Sequence, residues 1–232
     1  MKFCITGASS GIGYHCAQAQ LQAGHTVLGV SRRQMITHPR YIPWAIDFAD
    51  VDSLERDAKN LTKHHPDIDV LIHCAGYGQF AALEQWSMAQ IHRMMQVNFL
   101  SPVALTKVLL PALKRRAQGK IIFIGSESAM QGQKNGSIYC ASKFALRGFA
   151  QSLRQEAQTA GMAVTIIQPG LVSTPFFDDL SFAPGDANGN AIQVEDLVAM
   201  INMVVAMDNH CVVEELICQP LKKVWVKKNR EQ

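Results

Sequence analysis

The sequence predicts an α/β fold: a mainly parallel, seven-stranded sheet with helices on both faces. Short apolar runs alternate with longer segments of helical composition, which is the pattern of parallel strands connected by helices. The first apolar run is followed at once by a glycine-rich turn and a helical segment, as in doubly wound sheets. A chain of 232 residues suits one such domain, and we expect residues 1–232 to form it.

Seven apolar runs are predicted to be strands: residues 2–6, 25–30, 41–46, 69–74, 120–125, 162–168 and 215–218. Five segments are predicted to be helices: about 12–23, 51–64, 87–116, 138–159 and 194–206. The segment 51–64 has acidic residues early and basic residues late, as the helix dipole favours. The segment 87–116 contains Pro102 and Pro111, so we expect a kink or a break there.

Composition narrows the function classes. Hydrophobic residues make up 48% of the chain and the formal net charge is only +3, which gives no reason to propose a nucleic-acid partner. The cysteines show no CxxC spacing, as expected for reduced thiols in a cytoplasmic protein, and no His/Cys cluster predicts a metal site. We expect no leader, because a strand pattern begins at Lys2. We also expect no membrane partner, because no apolar run is as long as a membrane span.

Basic residues cluster near the end of the chain, at Lys222, Lys223, Lys227, Lys228 and Arg230. The favoured interpretation is a solvated terminus, and the alternative is contact with a membrane or a polyanion.

The glycine-rich turn after the first strand predicts a dinucleotide site. Its glycines allow a tight turn and close approach of the backbone, while the amino end of the following helix attracts a pyrophosphate. The residues predicted to bind there are Gly7, Ser9, Ser10, Gly11, Ile12 and Gly13. A second turn, Cys74-Ala75-Gly76, follows the fourth strand, where backbone can again approach a cofactor.

The end of the second strand predicts which dinucleotide is bound. A fold that binds NAD usually presents an acidic residue to the ribose 2′-hydroxyl at this point, but the chain has Ser31, Arg32 and Arg33. An arginine here can pair with a 2′-phosphate, so we expect NADP(H) rather than NAD(H). The alternative is that both arginines only solvate the loop. Asp47, after the third strand, could hydrogen-bond adenine or cap the next turn, and the sequence leaves both open.

Tyr139 and Lys143 lie four residues apart at the front of a predicted helix, so their side chains share one face. A free tyrosine has a pKa of about 10, and reaching pH 7 requires roughly 4 kcal/mol. A cation at about 4 Å supplies roughly that much. We therefore expect Lys143 to lower the pKa of Tyr139 so that the phenol can exchange a proton. Ser126, at the end of the fifth strand, could hydrogen-bond an oxygen that changes between carbonyl and alkoxide.

Apolar residues in the loop 176–192 predict a substrate lid, although a loop packed on the core is equally consistent with them. The side chains that suggest an apolar or aromatic pocket are Phe176, Phe177, Phe182, Tyr77 and Met130.

Taken together, these motifs resemble the short-chain dehydrogenase/reductases from end to end. The matching residues are Thr6-Gly7-Ala8-Ser9-Ser10-Gly11-Ile12-Gly13, Cys74-Ala75-Gly76, Asn98, Ser126, Tyr139-x-x-x-Lys143, and Pro169-Gly170 with Thr174. The resemblance implies a Rossmann-like fold and dimers or tetramers built on the helices 87–116 and 138–159. The sequence departs from the family pattern in two places. His73-Cys74 replaces a pair of asparagines, which puts the rigidity of that turn in doubt. The lid region and the carboxyl end are short for the family, which puts substrate enclosure in doubt.

The resemblance also implies residue roles. Tyr139 would be the catalytic acid/base, Lys143 would bind the nicotinamide ribose and lower the phenol pKa, Ser126 would orient the substrate oxygen, and Asn98 would hold a water of the proton relay. The cofactor-binding positions would also include Asp47 and Phe48 at the adenine, and Pro169, Gly170, Val172 and Thr174 at the carboxamide side of the nicotinamide.

The expected function is an NADPH-dependent oxidoreductase that reversibly reduces a small-molecule carbonyl to an alcohol. Two alternatives remain: an NAD-linked alcohol dehydrogenase, and a catalytically silent sensor that only binds the nucleotide.

Overall fold

The computed structural model describes residues 1–116 and 118–228. These residues form nine strands: β1 (Lys2–Thr6), β2 (Thr26–Val30), β3 (Tyr41–Trp44), β4 (Val70–His73), β5 (Lys120–Ile124), β6 (Ala163–Pro169), β7 (Phe182–Pro184), β8 (Glu215–Cys218) and β9 (Trp225–Lys227). Seven of them form one sheet in the order β3-β2-β1-β4-β5-β6-β8, and every pairing in it is parallel. The predicted seven-stranded sheet is thus confirmed, and the strand order reverses direction between β1 and β4, where such sheets place their ligands.

Six α-helices cover the sheet: α1 (Gly11–Gln22), α2 (Val51–His64), α3 (Met88–Met95), α4 (Ser101–Leu113), α5 (Ser137–Ala157) and α6 (Val194–Ala206). Alternate side chains of the strands point to opposite faces. In β1, Phe3 and Ile5 pack with α1 and α6, whereas Cys4 packs with α2, α4 and α5. Helices therefore lie on both faces, as the Rossmann-like, doubly wound prediction requires.

The predicted long helix 87–116 is interrupted, but not where its prolines suggested. A capping box between Ser87 and Gln90 starts α3, and a π-helical turn over Gln96–Leu100 joins it to α4. Pro102 lies in the first turn of α4, where the missing N–H is tolerated, and Pro111 lies near its end. The interruption is therefore at Asn98, and π turns inside helices often occur at functional sites.

This helical stretch is long and apolar enough to cross a membrane. It runs from Met88 to Leu113, and an 18-residue window has a mean hydropathy of 1.2. By length and composition, the expectation that no apolar run is as long as a membrane span is therefore wrong. Half of that window is buried inside the fold, where Leu105 and Leu109 pack against the sheet. A buried core helix passes the same test as a membrane span.

The sequence analysis missed β7 and β9. They pair antiparallel as a two-stranded ribbon that joins the predicted lid to residues 219–228, which we call the C-terminal strap. Each strand has only three residues, and the pairing is long-range, so neither gives a clear periodic signal.

The favoured interpretation of the basic residues as a solvated terminus is wrong for two of them, Lys223 and Lys228, because both make contacts within the fold. The Lys223 ammonium pairs with the Glu127 carboxylate, and the Lys228 ammonium donates to the carbonyls of Phe177 and Asp178. Lys222 and Lys227 are exposed, as expected. Arg230 lies outside the described residues.

Candidate active site

The glycine turn has the backbone that a close phosphate approach requires. Gly7 and Gly11 have φ of +69° and +52°, a left-handed conformation that glycine adopts at little cost. A Cβ on Gly13 would lie 2.4 Å from the carbonyl oxygen of Gly7, so α1 can pack against the turn only with glycine at this position.

The amino end of α1 is available to an anion. Ser10 is the N-cap with an extended backbone and, among the residues described, its hydroxyl makes no capping hydrogen bond. Ser10 is exposed and lies next to the half-buried Ser9 in the chain, and Ile12 lines the adjacent cleft. These features fit the pyrophosphate of a dinucleotide.

Thr6, the last residue of β1, braces the turn after β4. Its hydroxyl oxygen accepts hydrogen bonds from the amides of Cys74 (3.0 Å) and Ala75 (3.1 Å). A Cβ on Gly7 would also lie 3.0 Å from the Ala75 backbone, so the two turns are in close contact. This bracing role of Thr6 was not predicted from the sequence, although a hydroxyl residue at the end of a buried strand could have indicated it.

His73 replaces part of the bracing that the absent asparagines would supply. Its ring stacks on Phe123 with centres 4.9 Å apart, and Nε2 lies 2.9 Å from the Thr106 hydroxyl. Burial lowers the pKa of His73 to about 3, so the ring is neutral at physiological pH. The doubt about the rigidity of this turn is therefore answered by His73 together with Thr6.

The arginine loop after β2 has a fixed backbone and exposed cations. The Ser31 amide donates to the Trp44 carbonyl, and the Ser31 hydroxyl donates to the Arg33 carbonyl over 2.6 Å. Arg32 and Arg33 are both exposed, and no salt bridge to either is found within residues 1–116 and 118–228. Both guanidinium groups can therefore reach an incoming anion.

Asp47 caps the turn after β3. Its carboxylate accepts a hydrogen bond from the Ala49 amide over 3.0 Å, which is the second of the two roles that the sequence left open. The exposed position of Asp47 leaves its other carboxylate oxygen accessible. Phe48 is buried and packs among the side chains of α2, so it supports this loop from within the core.

The structure brings Ser126, Tyr139 and Lys143 into one cleft at the carboxyl edge of the sheet. Tyr139 and Lys143 lie in the first turns of α5, and the Lys143 Nζ is 5.8 Å from the centre of the Tyr139 ring. That Nζ donates to the carbonyl of Ile124 at the end of β5 over 3.2 Å. All three side chains are at least nine-tenths buried.

The expected lowering of the phenol pKa is wrong for this structure. Burial raises the pKa of Tyr139 to about 12, and only the neighbouring Ser126 hydroxyl acts in the opposite direction. The Lys143 ammonium is itself desolvated, which lowers its pKa to about 8. Desolvation of both groups therefore outweighs the attraction on which the sequence argument relied.

Asn98 braces the site through both ends of its amide. Its Oδ1 accepts from the Tyr77 amide (3.1 Å), while its Nδ2 donates to the Tyr77 carbonyl (3.0 Å) and the Ser142 hydroxyl (3.2 Å). A Cβ on Gly76 would lie 3.3 Å from that Oδ1 and 3.8 Å from the Lys143 Nζ. The π turn thus places Asn98 close to the lysine and leaves open the predicted role of holding a water.

Gln168 is a site residue that the sequence analysis missed. Fully buried in β6, it accepts a hydrogen bond from the Ser126 amide over 2.7 Å and donates one to Glu215 over 2.9 Å. Glu215 in turn binds Arg147 of α5 at 2.8 Å. A Cβ on Gly125 would lie 2.0 Å from the Gln168 Oε1, so glycine is required there. This network fixes the backbone of Ser126.

The loop after β6 lines the same cleft. The cofactor positions predicted here and at the second turn are among its walls: Cys74, Gly76, Pro169, Gly170, Val172 and Thr174. The predicted pocket residues Phe176, Phe177 and Phe182 also line it, whereas Tyr77 and Met130 do not. Two aromatic residues that the sequence analysis did not single out, Phe80 and Trp225, complete the apolar wall.

Comparison with known proteins places this geometry in a family. The model of the short chain dehydrogenase family matches residues 2–183. The chain belongs to the short-chain dehydrogenase/reductase family, a family of oxidoreductases that use nicotinamide cofactors.

Similar proteins include two oxidoreductases aligned over 175 residues at 33% identity. One is an uncharacterized oxidoreductase of Schizosaccharomyces pombe, with 73% of this chain and 60% of the relative aligned. The other is a 3-ketodihydrosphingosine reductase of Bacteroides thetaiotaomicron, with 75% and 65% aligned. The alignments thus span less than two thirds of either relative. A solved structure assigned as an NAD(P)-dependent gluconate 5-dehydrogenase from Beutenbergia cavernae, with NADP bound at low occupancy, is 25% identical over 93% of this chain and 94% of that one, with a TM-score of 0.83.

Replacing Gln168 tests the network behind Ser126. Gln168→Leu leaves the Ser126 amide and a Glu215 carboxylate oxygen without partners inside the fold, so we expect the free energy of unfolding to fall by about 1–3 kcal/mol in urea denaturation. Gln168→Glu keeps an acceptor for Ser126 but repels Glu215. Adding Glu215→Gln to it restores a donor and should recover part of the loss. Equal stability of the single and double variants would contradict this network.

The pKa of Lys143 predicts a pH dependence of stability. Between pH 8 and 10.5 the unfolded chain holds a proton on this lysine that the folded protein does not, so the free energy of unfolding rises with pH across that window. Lys143→Met removes this dependence. At pH 7 the variant should be more stable than wild type by up to about 3 kcal/mol, and this advantage should shrink as the pH approaches 10.5.

Urea unfolding at a series of pH values between 7 and 10.5 measures the difference between the two proteins. The exposed Lys222→Met is the matched control and should follow the wild-type profile. An advantage of Lys143→Met that stays constant across the window would show that Lys143 titrates normally.

Proposed function

We propose that the protein is an NADPH-dependent carbonyl reductase that also works in reverse as an alcohol dehydrogenase. The observation that supports this most is the convergence of Ser126, Tyr139 and Lys143 on one cleft next to the glycine turn. A protein that only binds a nucleotide needs the glycine turn but has no use for a phenol and a hydroxyl facing the same apolar space.

A bound nicotinamide would supply the hydride that the carbonyl carbon receives during reduction, and would take a hydride from the alcohol carbon during oxidation. Tyr139 donates its phenolic proton to the carbonyl oxygen during reduction and takes it back during oxidation. The Ser126 hydroxyl donates a hydrogen bond to the same oxygen and stabilises the charge that develops there. Its direction is maintained by Gln168, which holds the Ser126 backbone.

In this proposal the protonation state of Tyr139 depends on its burial and on the positive charge of Lys143. With a pKa raised to about 12, the Tyr139 phenol stays protonated and is ready to donate in the direction of reduction. Oxidation requires the phenolate, so it needs more positive charge near the ring than Lys143 provides alone at 5.8 Å. In the direction of oxidation, the positive charge of an oxidised nicotinamide would add to that of Lys143.

The preference for NADP(H) is supported by the two exposed arginines at the end of β2. Neither an aspartate nor a glutamate occurs at residues 31–33, and the Ser31 hydroxyl fixes the backbone from which Arg32 and Arg33 project. A 2′-phosphate placed at this turn would find two guanidinium groups and no carboxylate.

We also propose a homodimer or homotetramer. Supporting this, Leu100 and Phe144, one on each of the two long helical segments, are 47% and 44% exposed and offer apolar surface to a second copy of the chain. The proposed location is the cytoplasm.

Replacing the phenol tests the proton step. Tyr139→Phe removes the only group proposed to protonate the substrate oxygen, so NADPH oxidation with a panel of aldehydes, ketones and quinones should fall by at least about 100-fold. Binding of NADPH, followed by its fluorescence, should remain within about threefold of wild type. Tyr41→Phe is the matched control because the Tyr41 hydroxyl is buried without a partner in the described part of the chain, away from the cleft. Retained turnover in Tyr139→Phe would refute the role.

Replacing the loop arginine tests the cofactor preference. Arg32→Ala should raise the KM for NADPH by roughly 10-fold or more and leave the KM for NADH nearly unchanged, because only NADPH carries the 2′-phosphate. Arg56→Ala, an exposed arginine of α2, serves as the control. Steady-state kinetics with both cofactors measures the effect. An equal change for the two cofactors would overturn the assignment and favour the NAD-linked alternative.

A further inference from the structure

The far end of the cleft is formed by the C-terminal strap. In the β7–β9 ribbon Trp225 lies opposite Pro184, and Lys227 lies opposite Phe182. Phe182 and Trp225 are therefore diagonal neighbours on one face of the ribbon. Their ring centres are 5.0 Å apart in an edge-to-face arrangement, and both side chains line the cleft.

An unbroken row of aromatic rings connects this end of the cleft to the proton donor. Phe182 contacts Phe80 with ring centres 5.1 Å apart, and Phe80 contacts Tyr139, also at 5.1 Å. The row Tyr139, Phe80, Phe182 and Trp225 thus runs along one wall from the proposed reacting oxygen to the strap. Flat apolar groups bind well to such a wall because aromatic pairs add to the free energy of apolar burial.

The charges around the cleft do not favour an anionic substrate. The charged side chains that line it are Glu127 and Lys143. The Lys143 ammonium donates to the Ile124 carbonyl, and the Lys223 ammonium of the strap is already paired with Glu127 at 2.5 Å. Among the described residues that line the cleft, an incoming carboxylate or phosphate would therefore meet the Glu127–Lys223 pair, whose charges offset each other, and no cation other than Lys143 next to Tyr139.

We propose that the substrates are uncharged aromatic carbonyl compounds and that Trp225 is the residue that determines this specificity. The substrate carbonyl lies at Ser126 and Tyr139, and its ring system packs along Phe80 and Phe182 towards Trp225. This inference rests on the proposed function and gives it a substrate class. It also addresses the doubt about substrate enclosure that the short lid region and carboxyl end raise, because the strap pairs with β7 and contributes Trp225 to the wall of the cleft.

The test compares carbonyl compounds of graded size and charge with the full chain and NADPH. For 2-naphthaldehyde, Trp225→Ala should lower kcat/KM about 10-fold, whereas Trp225→Phe should stay within about threefold of wild type. For propanal, which is too short to reach the strap, all proteins should agree within about twofold. The carboxylate 6-formyl-2-naphthoate should be a poorer substrate than 2-naphthaldehyde for the wild type. Lys222→Ala, an exposed neighbour on the strap, is the matched control.

A binding measurement separates this inference from the proposed activity. Calorimetry of 2-naphthalenemethanol with the NADP⁺ complex needs no turnover, and its Kd should rise about 10-fold in Trp225→Ala but not in Lys222→Ala. If no carbonyl is reduced but this difference is seen, the proposed function fails and the aromatic site stands. The inference is overturned if the Kd is unchanged in a folded Trp225→Ala variant. It is also overturned if the wild type does not bind 2-naphthalenemethanol and Trp225→Ala lowers kcat/KM equally for propanal and 2-naphthaldehyde.

Discussion

The burial of the Lys143 ammonium at the carboxyl edge of the sheet is the constraint on which the site depends. An ammonium group out of water needs an acceptor, and the Ile124 carbonyl at the end of β5 provides one. That one hydrogen bond does not fully replace water, since the pKa of Lys143 is lowered to about 8. The surrounding backbone must therefore hold the lysine in an unfavourable position, which a loosely packed loop could not do.

The backbone achieves this with side chains that reach from one strand or turn to the next. Thr6 at the end of β1 holds the turn after β4, and Gln168 in β6 holds the amide of Ser126. Asn98 ties the π turn to both Tyr77 and α5. Each brace is buried and makes hydrogen bonds to a neighbouring element, which holds the residues around the cleft in place. Preorganisation of this kind is what an oxidoreductase needs to stabilise charge in its transition state.

Much of this site was readable from the sequence because its signals are local. The glycine turn, the arginines after β2 and the pair Tyr139 and Lys143 each depend on residues close together in the chain, within one element or at its end. The pattern of apolar runs likewise gave all seven strands of the main sheet, with ends within about two residues. What failed was the sign of the Tyr139 pKa shift, because burial is a property of the whole fold and no spacing rule contains it.

The parts that could not be predicted share a different feature: they join segments far apart in the sequence. Gln168 contacts Ser126 across 42 positions, and Lys223 contacts Glu127 across 96. Their partners Ser126 and Glu127 are consecutive residues, so the two contacts meet at the segment that follows β5. The strap is also held by the β7–β9 ribbon and by Lys228, whose ammonium donates to the carbonyls of Phe177 and Asp178. Contacts of this kind depend on how distant segments pack together, so no local pattern of residues contains them.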